Sequence, residues 1–224
     1  MPAEEGRPAG PVHLHGYRYS VYNRIARMAL LCKQVEHRTI EVDPFAELSE
    51  TYLRLHPFGR VPVLTHGPLE LFETGAITRY VDRAFDGPPL QPRSAAALAR
   101  MDQVISVLDS YAYRPMVRQV SSHGFLRPSF GEASSREEID AGLQASAKVL
   151  AFLDGAVREG LVLSGPDVSL ADLHLAAMMD YFVRAGEGKA ALEPHLALQG
   201  WWDRTSNLDA LEATDPFAVQ AASG

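Results

Sequence analysis

Two short stretches of the chain combine residue types that suit a charged or extended ligand. Glu73 and Thr74 lie where the apolar stretch LELF ends and a helical pattern begins. The first turn of a helix has free N–H groups that favour anions, and a hydroxyl commonly caps it. Pro62 lies inside a second apolar stretch, VPVL. Because proline lacks an N–H and is excluded from central strands, Pro62 indicates an edge, a bulge or a special turn.

A third polar position is Ser20, which follows a short predicted strand and begins a predicted helix. Three tyrosines, Tyr17, Tyr19 and Tyr22, crowd the same loop. A hydroxyl at a helix N-terminus can donate to an anion, because the charge-assisted hydrogen bond and the helix dipole act together. Two interpretations follow from the residues: Ser20 caps the helix while the tyrosines pack, or one of these hydroxyls takes part in chemistry.

The elements that would position these residues occupy the first 85 residues. Hydrophobic periodicity predicts a strand at 12–16, a helix from Ser20, a strand at 37–43, a helix ending near Pro57, the strands VPVL and LELF, and a last helix up to Phe85. The turn between VPVL and LELF is too short for a crossover. These two strands are therefore predicted to form an antiparallel hairpin.

The rest of the chain has a different pattern. DGPPLQP, at 86–92, has the composition of a linker, and after it strand signals nearly vanish. Helices are predicted at 93–120, 135–159, 169–185 and 194–207. The predicted fold class is α/β plus all-α, with a mixed four-stranded sheet in a domain at 12–85, a linker at 86–92 and an all-helical domain at 93–217.

Two smaller motifs are predicted to be structural. Ser169 and Asp172 have the spacing of a capping box, which marks a helix start. His13 and His15 lie on one face of the first strand, but no third ligand accompanies them at diagnostic spacing, so no metal site is predicted. Cys32 has no CxxC partner, so a thioredoxin-type dithiol is not expected.

Composition restricts the classes of partner. The formal net charge is -7, with the acidic excess in the second half of the chain, which disfavours nucleic acid and anionic lipid. No apolar run reaches the roughly 18 residues of a membrane span. A single cysteine fits a reducing compartment, and the N-terminus has no signal-peptide pattern. The expectation is a cytoplasmic protein without nucleic acid or membrane partners.

Two motifs at a characteristic separation carry a family resemblance. HPFGRVPVL, at 56–64, and LFETGAITRYVD, at 71–82, resemble the thioredoxin-like domain of cytosolic glutathione transferases, whose usual forms are Asn-Pro-x-Gly-x-Val-Pro and Leu-x-Glu-Ser-x-Ala-Ile. GPDVSLADLHLA, at 165–176, is similar to the family's Ser-x-x-Asp element. The likeness spans about residues 12–217 and is nearest to the serine-using plant-type and bacterial branches. It implies a glutathione-binding thioredoxin-like domain, an all-helical domain and a role in detoxification.

The resemblance implies how glutathione is held. In the family, the proline that matches Pro62 is cis, and the residue matching Val61 pairs strand to strand with the cysteinyl part of glutathione. Glu73 and Thr74 match the pair that binds the γ-glutamyl end. The carboxylate of Glu73 would bind the ligand's ammonium group, and the hydroxyl of Thr74 with the helix N–H groups would bind the ligand's carboxylate. Arg60, before Val61, is the candidate for the glycyl carboxylate, since an arginine fork suits a carboxylate.

One departure from the pattern affects the glycyl end. The plant-type branch places basic residues in the loop after the second strand, where this chain has Phe45, Ala46, Glu47 and Leu48. The alternative for Arg60 is therefore a solvated surface arginine.

The resemblance also implies the catalytic group. A free thiol with a pKa near 8.5 is only about 3% ionised at pH 7, so the reaction requires a group that stabilises the thiolate. Ser20 matches the catalytic serine of the family by position. Tyr22 is the alternative, because other branches use a tyrosine for the same purpose.

The second substrate is expected between the two domains, where clefts usually form. Its predicted contacts are four residues on the first long helix of the all-helical domain, Tyr111, Tyr113, Met116 and Val117. Their spacing is equally that of core packing. They predict a small apolar or aromatic electrophile, and the resemblance implies a homodimer.

Three functions are compatible with these motifs. The first is a glutathione transferase that conjugates the glutathione thiolate to a hydrophobic electrophile. The second is a glutathione-dependent isomerase, dehalogenase or etherase on the same fold. The third is a non-catalytic interaction module, which the intact ligand motifs disfavour.

Overall fold

The computed structural model describes residues 8–165 and 167–218. Its sheet consists of β1 (Val12–Gly16), β2 (Arg38–Glu41), β3 (Val63–His66) and β4 (Leu69–Phe72), in the spatial order β2-β1-β3-β4. β1 is parallel to β2 and antiparallel to β3, and β3 forms an antiparallel hairpin with β4. The predicted mixed four-stranded sheet and its hairpin are confirmed.

The central strands β1 and β3 are held in register by apolar side chains. Leu14 lies opposite Leu64, and both are fully buried. A slip of one residue would turn each side chain to the other face of the sheet, so burial of this pair specifies the register. β3 begins at Val63, directly after Pro62, whereas the predicted strand VPVL began at Val61. The strand begins later because proline has no N–H to donate to the ladder.

Three helices belong to the same part of the chain: α1 (Val21–Cys32), α2 (Glu50–Leu55) and α3 (Thr74–Ala84). α1 and α3 pack against each other, as their apolar spacing predicts. Ile25, Met28 and Ile77 are fully buried. Each such side chain stabilises the fold by about 1.5–3 kcal/mol relative to full exposure.

The remaining chain is helical. α4 (Ala95–Val107) continues into a π-helical segment (Leu108–Leu126) and α5 (Arg127–Ser129), and then follow α6 (Arg136–Glu159), α7 (Leu170–Arg184), α8 (Gly186–Leu192) and α9 (Leu196–Thr205). α7 is buried on nearly all sides, so it forms the centre of the helical core. Within the described ranges, no helix is both long and apolar enough to cross a membrane.

The chain forms two compact units. Among the described residues, one unit contains 8–88 together with 209–218, and the other contains the residues from Pro89 to Leu208. The last helix, α10 (Asp209–Glu212), packs against α1. Arg24, which is buried in α1, donates to Leu211 O at 2.8 Å and to Thr214 Oγ1 at 3.3 Å.

Candidate functional site

Ser20 is the N-cap of α1. Its Oγ accepts a hydrogen bond from Asn23 N at 3.3 Å, and its backbone is extended, with φ -78° and ψ 121°. This bond uses the oxygen as an acceptor and leaves the hydroxyl proton available. No group in the described part of the chain accepts that proton. Ser20 is thus both a structural cap and a free donor at a helix N-terminus.

The loop before Ser20 is fixed by Asn23. The carbonyl oxygen of Tyr17 accepts from Ser20 N at 2.9 Å and from Asn23 Nδ2 at 3.1 Å. Asn23 is buried, and a Cβ added to Gly16 would lie 2.0 Å from Asn23 Oδ1, so only glycine fits there. Close packing of Asn23 therefore positions Ser20.

Glu73 occupies the N-cap position directly before α3 in a backbone conformation that is rare outside glycine, with φ 70° and ψ 116°. Such a conformation costs on the order of 1–3 kcal/mol and is concentrated at functional sites. Its side chain is exposed and makes no capping bond, whereas its carbonyl oxygen accepts from Ala76 N and Ile77 N, both at 3.0 Å. The Glu73 carboxylate is therefore presented at the beginning of α3 without a capping role.

Thr74 connects the beginnings of α3 and α1. It is buried, and its Oγ1 donates to the carbonyl oxygen of Tyr22 at 3.5 Å. Because Tyr22 lies two residues after Ser20, this contact holds the two predicted halves of the site together. Among the described residues, the backbone N–H groups of Thr74 and Gly75 have no acceptor, as is normal in a first helical turn.

The loop that leads into β3 contains the cis peptide bond Val61-Pro62, which confirms the predicted isomer. Tyr52, from α2, donates its hydroxyl to the carbonyl oxygen of Arg60 at 2.6 Å. Burial raises the pKa of Tyr52 to about 12, so this donor stays protonated at neutral pH. The Arg60 side chain is exposed, and within the described ranges no hydrogen bond uses the backbone N–H or C=O of Val61. No motif in the sequence indicated Tyr52 as a site residue.

An aromatic cluster surrounds the loop before Ser20. Tyr17 lies 5.6 Å from Tyr19 and 5.8 Å from Phe45, between ring centroids, and Tyr19 lies 5.5 Å from Phe217. Burial, with a contribution from the nearby carboxylates, raises the pKa of Tyr17, so its phenol is neutral. We call these four residues the aromatic cluster. Phe217 comes from the far end of the chain, which no local sequence signal could place here.

The four residues predicted to contact an electrophile all lie in the π-helical segment (Leu108–Leu126). They are Tyr111, Tyr113, Met116 and Val117. Tyr111 is 66% exposed, whereas Met116 and Val117 are buried. Their role in a pocket stays a prediction. Within the residues that the structure describes, no group of three or more His, Cys, Asp or Glu side chains is arranged to hold a metal ion.

Comparison with known proteins covers both compact units. Residues 14–89 match the family model for the N-terminal domain of glutathione S-transferase, and residues 100–209 match that for its C-terminal domain. The chain is 28% identical to glutathione S-transferase F10 of Arabidopsis thaliana, over 81% of this chain and 86% of that protein. It is 29% identical to glutathione S-transferase F9 of the same plant, over 84% and 89%. The solved structure of glutathione S-transferase III in apo form is similar, with a TM-score of 0.79, 25% identity and coverage of 92% and 95%.

Proposed function

The chain belongs to the glutathione S-transferase family, and from this premise we propose that it is an enzyme that joins the thiol of glutathione to a hydrophobic electrophile. Glutathione is its co-substrate. The observation that carries the proposal is the free hydroxyl proton of Ser20 at the N-terminus of α1. The hydrogen bond from Thr74 Oγ1 to Tyr22 O joins this end of α1 to the beginning of α3.

The role of Ser20 is to stabilise the glutathione thiolate. Lowering a thiol pKa by about two units corresponds to about 2.7 kcal/mol and makes the thiolate the major form at neutral pH. A hydroxyl donor and the α1 dipole, acting on the same sulfur, supply this free energy together. Tyr22 is the alternative donor, and comparing Ser20→Ala with Tyr22→Phe distinguishes the two hydroxyls.

Four further contacts hold the tripeptide. The unused backbone groups of Val61 pair with the cysteinyl residue as an added strand. At the γ-glutamyl end, the Glu73 carboxylate binds the ammonium group. The N–H groups of Thr74 and Gly75, with the α3 dipole, bind the carboxylate, since the Thr74 hydroxyl already donates to the protein. Arg60, whose side chain is exposed, binds the glycyl carboxylate.

The reaction is a nucleophilic displacement. The thiolate sulfur attacks the electrophilic carbon, a C–S bond forms, and the leaving group departs with the electron pair of the broken bond. The aromatic cluster beside Ser20 favours an apolar or aromatic electrophile. The predicted contacts from the π-helical segment, at Tyr111, Tyr113, Met116 and Val117, belong to the same proposal.

The assembly and the location of the enzyme also belong to the proposal. A two-fold homodimer is the commonest form of a soluble oligomer. Light scattering on the purified chain tests this, and a mass of one protomer at all concentrations would contradict it. A single free cysteine fits the reducing cytoplasm.

Retention on immobilised glutathione tests the ligand. The chain should bind and be eluted by free glutathione, and Glu73→Gln should reduce retention because the ammonium of the ligand loses its counter-charge. Glu36→Gln, at an exposed position before β2, is the matched control and should be retained like the wild type. Absence of wild-type retention would contradict glutathione binding.

Conjugation of glutathione to an activated aryl halide tests the reaction. The product is followed by its absorbance and identified by mass spectrometry as the thioether. A chain that binds glutathione but forms no thioether with a panel of aryl halides and activated alkenes would contradict the transferase activity.

A further inference from the structure

His56 lies beside the residues proposed to bind the two ends of glutathione, and it stands where the family pattern has asparagine. It ends α2, where its backbone N–H donates to Tyr52 O at 2.9 Å. Its own carbonyl oxygen accepts from Gly59 N at 2.9 Å. The backbone of His56 thus fixes the turn that leads directly to Arg60.

The imidazole ring of His56 forms a three-ring cluster with the rings of Phe58 and Phe72. His56 is 2% exposed, and its ring lies 4.7 Å from that of Phe72, at an interplanar angle of 33°. Phe58 packs edge-on against both rings, at 6.2 Å from His56 and 6.1 Å from Phe72. Because Phe72 immediately precedes Glu73, the three-ring cluster connects the loop that carries Arg60 to the beginning of α3.

The ring is neutral in this environment. Burial lowers the pKa of His56, Glu73 opposes that shift and Arg60 adds to it. Nδ1 is buried, and in the described part of the chain it has no hydrogen-bond partner. The elements packed around the ring, α2, the following loop, β4 and the start of α3, carry the charged residues Glu50, Arg54, Arg60, Glu70 and Glu73. A protonated ring would add a cation beside Arg60 and would compete with the ligand's ammonium for Glu73.

We propose that His56 is a positioning residue whose neutral ring sets the spacing between Glu73 and the Arg60 loop that glutathione requires. This inference rests on the proposed function. It makes glutathione binding sensitive to acid, because protonation of the ring disturbs both ends of the site. An asparagine at this position can make hydrogen bonds but has no ring to pack against Phe58 and Phe72.

Calorimetric titration of glutathione into the full chain tests the inference, at about pH 7.5 and about pH 5.5, on either side of the ordinary histidine pKa. His56→Ala removes the ring and should weaken binding about tenfold at the higher pH, with the KM for the electrophile unchanged. His56→Phe keeps an aromatic ring that cannot be protonated. It should bind within about threefold of the wild type at the higher pH and lose less affinity in acid. His37→Ala, at a half-buried histidine before β2, should behave like the wild type.

The outcomes separate the two proposals. If the wild type binds no glutathione at either pH, the proposed function fails and the inference with it. If the wild type binds but His56→Ala stays within about twofold of it, the positioning role is overturned while the function stands. The same holds if His56→Phe loses as much affinity in acid as the wild type. Should His56→Ala fail to fold by circular dichroism, the pH dependence of His56→Phe decides.

Discussion

The helices α1 and α7 both begin with a serine N-cap, yet only one of these serines keeps a free proton. At α7, Ser169 Oγ donates to Asp172 Oδ2 at 2.6 Å and accepts from Asp172 N at 3.4 Å. Ser169 N also donates to Asp172 Oδ2, at 2.8 Å, which completes the predicted capping box. At α1, the corresponding third position is Asn23, whose amide instead donates to Tyr17 O.

The residue three positions after the cap decides what the serine can do. A carboxylate there accepts the hydroxyl proton, whereas the Asn23 amide leaves it free. Asp172 is further committed to structure, because its Oδ1 accepts from Trp201 Nε1 at 2.8 Å in the buried helical core. The beginning of α7 is therefore satisfied within the protein, and the beginning of α1 is not.

The largest expected effect comes from Ser20→Ala. Removing the thiolate donor should lower kcat/KM about 100-fold and return the pKa of bound glutathione toward about 8.5, measured from thiolate absorbance against pH. Ser169→Ala loses a cap of similar cost, about 1 kcal/mol, and should keep full activity. Full turnover in Ser20→Ala, or a larger loss in Tyr22→Phe, would show that Ser20 is not the donor.

The next effect concerns stability. Asp172→Asn removes an acceptor from Ser169 and weakens the bond to Trp201, so the free energy of unfolding should fall by about 2 kcal/mol in urea titration. Glutathione affinity should not change, because the beginning of α7 has no ligand role. Asp167→Asn, at an exposed residue before the helix, is the control. A change in glutathione affinity without a change in stability would contradict the structural assignment.

Asn23→Asp places a carboxylate three residues after the serine N-cap of α1, as Asp172 is placed after Ser169 at α7. The new carboxylate should accept the Ser20 proton and repel the thiolate, which raises the thiol pKa and lowers kcat/KM by about tenfold near neutral pH. Part of the loss should be recovered at higher pH, where the thiol ionises without help. A variant with unchanged rate and an unchanged pH profile would mean that the third position does not control Ser20.

The smallest effect is the acid sensitivity of the unit that contains α1. Burial, with the nearby His13, lowers the pKa of His15, and Glu70 opposes this shift. As the pH falls below the ordinary value of 6.5, the unfolded chain takes up a proton before folded His15 does, so stability decreases until the lowered folded pKa is passed. His56 contributes in the same direction. His15→Gln should reduce the loss seen in urea titrations between neutral and acid pH, and an unchanged loss would exclude His15 as a source.

Much of the fold was predictable because its signals are local. The strand at 12–16, the hairpin after Pro62 and the start of α7 at Ser169 each depend on a few neighbouring residues. The π-helical segment was not predicted. The apolar pattern indicates a helix, but it does not show whether each backbone N–H bonds the carbonyl four or five residues earlier. Among the site residues, Ser20, Glu73 and Thr74 belong to recognisable motifs, whereas Tyr52 does not. Tyr52 donates to the backbone carbonyl of Arg60, and a backbone carbonyl is present whatever residue occupies that position, so the sequence carries no sign of this contact.

The family, the order of strands and helices, and the candidate residues for thiolate stabilisation were all predictable from the amino-acid sequence, since these depend on residue types at short spacings. That the Ser20 proton is free could be seen only in three dimensions, because it depends on the Asn23 amide donating to Tyr17 O while Asn23 N donates to Ser20 Oγ. The same is true of the end of the chain, which packs on α1, where Arg24 reaches Thr214 across a separation of 190 residues. Contacts at such separations follow from three-dimensional packing and leave no periodic pattern in the chain.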